Sequence, residues 1–165
     1  MTQWAERTLE ERRLLNPAFC AQLLWRAARG HASVNDQPLA LEESFLVLPF
    51  VLPAQVREAL PRDTRTSLPI WLETEPLARG QVVTRARTLV PFTREALLFA
   101  GTRGMLTIQA TKIYADARWA KIESRIMSSA SDEVRECLKR AEFIGKWFAL
   151  AGTAPTVLAF LGARP

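Results

Sequence analysis

Hydrophobic positions along this 165-residue chain recur mostly at helical spacing, and the breaks fall at proline, glycine or polar clusters. Asn16-Pro17 marks a helix start. Asparagine caps with its side-chain oxygen, and proline in the first turn forfeits only an N–H that has no partner there. Phe19, Cys20, Leu23, Leu24 and Ala27 follow on one face, and Gly30 reads as the end of the run. The polar stretch 31–38 is expected to be a loop. Residues 44–52 are apolar all round, so period alone cannot separate a buried strand from a buried helix. Pro49 and Pro53 argue against a central strand. They favour a buried helix kinked near Pro49, then a short one over residues 53–60.

Thr64 or Thr66 is placed to cap a helix that carries Leu68, Ile70, Trp71 and Leu72 and stops before Pro76. Residues 77–89 predict the next helix, with Val82, Val83, Ala86, Leu89 and Val90 turned inward. Pro91 breaks or kinks the rod, and Phe92, Ala96, Leu97 and Ala100 carry the stripe on to Gly101 and Gly104. Two short runs, 104–108 and 112–114, then read as a hairpin. This is the order of a winged helix-turn-helix, a module that either reads nucleic acid or docks protein. The expected fold class is therefore mainly α, a helical domain with a winged-helix-like helix–helix–β-hairpin segment. After a polar joint at 128–131, Asp132 and Glu133 put negative charge at a helix N-terminus. That helix runs to about Leu150, and Gly152 and Pro155 separate it from a last short one. A single domain is expected over 1–165, with a charged arm (1–15), a winged-helix-like core (16–130) and C-terminal apolar helices (131–165).

Phe143, Ile144, Trp147, Phe148 and Leu150 cover most of the circumference of the closing helix, and Val157, Leu158, Phe160 and Leu161 follow. A helix this apolar is buried on several sides, and Gly145 lets another helix come close. Two readings remain. The segment is core, with Trp147 nearest an edge, or it docks a partner through Phe143, Trp147, Phe148 and Phe160; the core reading is favoured.

Net charge changes the picture because it is uneven. Residues 1–82 hold nine basic and ten acidic side chains, and residues 83–165 hold thirteen and seven. A basic half fits a polyanion or an acidic protein surface. Arg85, Arg87, Arg94, Arg103 and Lys112 are the candidate nucleic-acid contacts, with Arg79 nearby, since guanidinium groups pair with phosphate through two hydrogen bonds. Arg87 and Arg94 share a face if the helix continues past Pro91. A solvated helix face is the competing reading.

Candidate chemistry is sparse. His31, the single histidine, lies in a polar stretch and reads as a surface residue; Cys20 and Cys137 are far apart and read as buried, reduced and inert. These cannot build a nucleophilic triad or a zinc site of usual spacing. Asp63, Glu73, Glu75, Asp116 and Glu123 form no metal motif, the spacing from Asp116 to Lys121 does not suit a restriction-type nuclease, and no GxxxxGK[ST] loop occurs. No catalytic residue, metal or cofactor is expected, and the chain is not expected to be an enzyme. Residues 1–13 are charged and lack an apolar signal-peptide core. The longest apolar runs, 44–54 and 154–163, are short of a membrane span. A cytoplasmic protein without a membrane partner is expected.

Several blocks together resemble a known family. Asn16-Pro17-Ala18-Phe19-Cys20, Ser44-Phe45-Leu46-Val47-Leu48-Pro49, Arg57-Glu58-Ala59-Leu60-Pro61, Thr66-Ser67-Leu68, Leu89-Val90-Pro91 with Thr93-Arg94-Glu95-Ala96-Leu97, Ile144-Gly145-Lys146-Trp147-Phe148 with Gly152, and Leu161-Gly162 are similar to the middle-component proteins of bacterial ABC three-component systems. The blocks span nearly the whole chain in the same order. The resemblance implies a part of an antiviral or anti-plasmid defence system akin to Lamassu. There an SMC-like ABC ATPase works with a middle component and an effector, often a nuclease. It implies a non-catalytic adaptor that bridges ATPase and effector and is able to contact double-stranded DNA. The alternative is a free-standing winged-helix DNA-binding regulator; a carboxylate–metal nuclease is a third class with nothing in the sequence to favour it.

Overall fold

The computed structural model describes residues 15–162, so the charged arm expected over residues 1–15 lies outside them except for Leu15. α1 (Pro17–Asn35) begins as the sequence dictates, with Asn16 Oδ1 accepting from the Ala18 N–H at 2.9 Å. It does not stop at Gly30. It continues to Asn35 and ends where Asp36 turns left-handed (φ 55°) and its N–H bonds the Ala32 carbonyl at 2.9 Å. Residues 31–35 are thus helix rather than loop. Gly30 has another purpose. A side chain there would overlap the Glu142 carbonyl of α8 (Asp132–Ala151), and one at Gly145 would overlap the Ala27 carbonyl of α1. The two glycines let the helices meet backbone to backbone.

α8 is consequently the spine of the core. Leu138, Ala141, Ile144 and Phe148 are fully covered, and Trp147 is 1% exposed, so it is not at an edge. The Trp147 indole N–H donates to the Thr66 carbonyl at 2.8 Å, and Trp71 does the same to Ala59 at 2.7 Å. Both rings pack on Phe50, with centroids 6.2 and 5.6 Å away. Each tryptophan buries an apolar body and uses its one donor to fasten a neighbouring segment, Trp147 the loop at Thr66 and Trp71 the end of the helix Ala54–Ala59.

β1 (Leu39–Ala40) leads directly into α2 (Leu41–Val51), so the ambiguous apolar run is helical, with Pro49 two residues from the helix end. The open carbonyls there are taken by a buried arginine. Arg57 Nη1, from α3 (Ala54–Ala59), donates to Val51 and Leu52 at 2.7 and 3.0 Å. In α4 (Leu68–Thr74) the N-cap position falls on Ser67, not on Thr64 or Thr66, and no side chain bonds the turn. α5 (Pro76–Thr88) and α6 (Val90–Thr102) are separated by Leu89 alone. Pro91 lies in the first turn of α6, where a missing N–H is harmless.

β2 (Leu106–Gln109) and β3 (Lys112–Ala115) form the expected hairpin, with Ile108 opposite Ile113. On its other side β3 pairs with β1, Leu39 opposite Ile113, giving an antiparallel sheet of order β1-β3-β2. A 3₁₀ turn (Ala117–Trp119) and α7 (Ala120–Ser129) return the chain to α8, whose N-cap Ser131 accepts from the Val134 N–H at 3.3 Å. α9 (Ala154–Phe160) follows Gly152. The fold is mainly helical with one small sheet. The helix–helix–hairpin order is present, with five helices between β1 and the hairpin it joins. No single described helix is long and apolar enough to cross a membrane.

Candidate interaction surface

Two sets of charged side chains divide the molecule. The first is paired and partly covered. Arg26 on α1 bonds Glu123 of α7 through Nε at 2.5 Å and Glu142 of α8 through Nη1 at 2.6 Å, joining three helices. Burial by itself would lift the Glu142 carboxyl. Bonds from Lys146 and Arg26 outweigh this and hold it below its ordinary value. Arg140 reaches Glu136 and the Pro61 carbonyl, each at 2.8 Å.

His31 belongs to this covered set. It is 6% exposed, not a surface histidine; the loop expected around it is helix, and its turn faces β1. Nδ1 lies 2.9 Å from the Gln37 carbonyl, and Nε2 lies 3.6 Å from Glu43 Oε2. Glu43 stands three residues into α2, where Oε2 accepts the Ala40 N–H at 3.0 Å and so closes the helix start. Burial lifts the Glu43 carboxyl above its usual value, against the Ala40 N–H and the charges of His31 and Lys112.

The second set is unpaired. α5 is anchored by Ala78 and Val82, and Val83, expected inside, is 42% exposed because it points away from that anchor. Between Glu75 and Glu95 the sequence has four arginines and no acid. Arg79, Arg85, Arg87 and Arg94 are all exposed and make no ion pair or side-chain hydrogen bond with any described residue.

The five expected nucleic-acid contacts are all exposed, but the fold does not gather them. Arg85 and Arg87, about 200° apart around the helix, line different grooves. Arg85 belongs to one of about 1170 Å³ with Pro53, Ala54 and Leu77, and Arg87 to one of about 650 Å³ with Phe45, Val82 and Leu158. Arg94 is on α6, beyond the break at Leu89. The Arg103 guanidinium sits 5.4 Å from the Phe99 ring, and Lys112 lines a third cleft beside Glu42 and Glu43.

The four aromatic partner-contact candidates also separate. Trp147 and Phe148 are core and are closed to any partner while the fold holds, because α1, α2 and α4 cover them. Phe143, with Arg140 5.8 Å over its ring, and Phe160 are half-buried at the surface. Of the groove residues, Val83 is exposed and went unnoticed in the sequence as surface, while Leu158 and Leu161 are buried and form the floor. The signal for Val83 was α5 itself, a helix with no clear apolar stripe and no acid.

Both cysteines are free and buried. Burial, helped by the Glu95 charge, pushes the Cys20 thiol up to about 12, and burial raises Cys137 as well, so neither is a ready thiolate. Among the described residues no group of three or more His, Cys, Asp or Glu is placed to hold a metal ion.

Fold and surface together define a mainly helical module with a small antiparallel sheet, a paired interior and an unpaired basic helix. A family model described as the ABC-three component (ABC-3C) system Middle Component 3 matches residues 4–165. The chain therefore belongs to that family, and its partners are to be sought within such a system. No curated protein and no solved structure matches it.

Proposed function

We propose that the chain is a non-catalytic, cytoplasmic adaptor that bridges an SMC-like ABC ATPase to an effector such as a nuclease in an antiviral or anti-plasmid defence complex. The observation that supports this most is α5 with its flanking grooves: three arginines without partners among the described residues, beside apolar surface, on a chain of the middle-component family. Unpaired guanidinium groups and uncovered hydrocarbon are what an assembly partner of opposite charge covers. The test is recovery of the tagged protein, expressed from its native locus, after nuclease treatment and a high-salt wash. An ABC ATPase retained at fixed stoichiometry is the expected result, and recovery of the chain alone overturns the reading.

Direct contact with double-stranded DNA is the second reading, favoured by the exposure of Arg85, Arg87, Arg94, Arg103 and Lys112. A contact through several phosphates weakens about a thousandfold between roughly 50 and 200 mM salt. Arg87→Glu with Arg94→Glu is expected to abolish such binding. Unchanged affinity in that double variant removes these arginines from any phosphate contact.

A further inference from the structure

The groove on the Arg87 side of α5 is bounded by α2, α5 and α9. Phe45, Leu46, Val82, Val83, Leu158 and Leu161 line it within about 650 Å³. Its lip on α5 is a ridge on which Arg79, Val83 and Arg87 follow one another at four-residue spacing, one helical turn apart. The opposite rim carries one acid, Glu42. We propose that this groove receives an amphipathic helix of another component of the same complex, its apolar face seated on the hydrocarbon lining and its acidic flank against Arg79 and Arg87. This rests on the adaptor reading and names the surface that serves it.

Three alternatives fit less well, each for a physical reason. Duplex DNA gains nothing by covering Phe45 and Val83, and Arg85 and Arg87 face different grooves, so they cannot grip one phosphate track. A second copy would bring one α5 against another in the symmetric dimers that are commonest, setting arginine against arginine. A small ligand would need converging polar groups, and apart from Arg87 and Glu42 the side chains lining this groove are hydrocarbon. A hydrocarbon-lined groove formed by three helices, with arginines along one lip, is suited to the apolar face of a helix with an acidic flank.

The experiment uses the full chain co-expressed with the ATPase and effector encoded beside it. A photo-crosslinking amino acid replaces Val83, and the attached peptide is identified by mass spectrometry. Separately, Arg79→Glu/Arg87→Glu is followed by co-elution with the complex and by retention on a 30-base-pair duplex. The expected result is a crosslink to an acidic, amphipathic helical segment of one component. The charge-reversed chain should keep its melting temperature and lose that component about a hundredfold in affinity. A complex that assembles unchanged with the reversed chain overturns the groove while leaving the adaptor intact. A reversed chain that loses only the duplex, or a crosslink from Val83 to a second copy, also overturns it in favour of nucleic acid or self-association. A wild-type chain that elutes without its neighbours overturns the adaptor reading itself.

Discussion

The α1–α8 pair and α5 are built on opposite plans. Where α1 meets α8, glycines remove side chains so that backbones touch, and Arg26 is shared between two glutamates. α5 buries only Ala78 and Val82, and its arginines face water without an ion pair to any described residue. The first arrangement is complete within the chain. The second leaves charge and hydrocarbon uncovered, and stability gives no reason to keep it so. The difference teaches that arginine count says little about function until each guanidinium is assigned a partner. Arg26, Arg57 and Arg140 hold the fold together, and Arg79, Arg85, Arg87 and Arg94 do not.

The contrast is broken hardest at its tightest point. Gly145→Ala drives a Cβ into the Ala27 carbonyl, and a rigid backbone cannot yield as a side chain would. A loss of about 3 kcal/mol or more is expected in urea denaturation; a neutral result would mean that the helices do not meet as described. Arg26→Met comes next, because it strands Glu123, which is 6% exposed. The expected loss is about 3 kcal/mol, with part recovered when Glu123→Gln is added. No recovery in the double variant would mean that packing of the arginine stem, not charge, sets the loss.

Glu43 tests the covered set by pH. Because its carboxyl is lifted, the folded protein holds that proton more tightly than the unfolded chain does. Its contribution to stability is therefore full in acid, below the ordinary glutamate value, and is lost as pH rises through the lifted one. Glu43→Gln keeps an oxygen for the Ala40 N–H, and should flatten the dependence of melting temperature on pH in that window and add about 1 kcal/mol at neutral pH. A lower neutral-pH stability would instead show an ionised Glu43 held by His31 and Lys112. The smallest effect is expected on α5. Arg79→Ala, Arg85→Ala and Arg87→Ala should each change unfolding free energy by less than about 0.5 kcal/mol, and a larger loss would reveal a partner within the chain.

Most of the helical scaffold was legible in the sequence because it follows local rules. Asn16-Pro17 marked the start of α1, Pro91 marked the break between α5 and α6, and the two short runs 104–108 and 112–114 read as the hairpin. The misreadings share one cause, a residue whose role is set by a distant neighbour. Gly30 resembles a stop signal but is a crossing point, decided by Glu142 more than a hundred residues away. His31 is polar and flanked by polar residues, yet β1 and α2 enclose it. Trp147 sits near the chain end, where fraying is the usual expectation, and is instead held among Phe50, Trp71 and Phe143. The candidate surface was half legible. The basic, acid-free stretch could be read directly, but its division between two grooves depends on how α5 lies against α2 and α3.

The most direct test of this division of labour is hydrogen exchange of the free chain compared with the chain in its complex. Protection on assembly is predicted in α5 and α9, around Val83 and Leu158, with α1 and α8 unchanged because they are already closed. Assembly that protects other surfaces and leaves α5 exchanging as in the free chain would contradict the account.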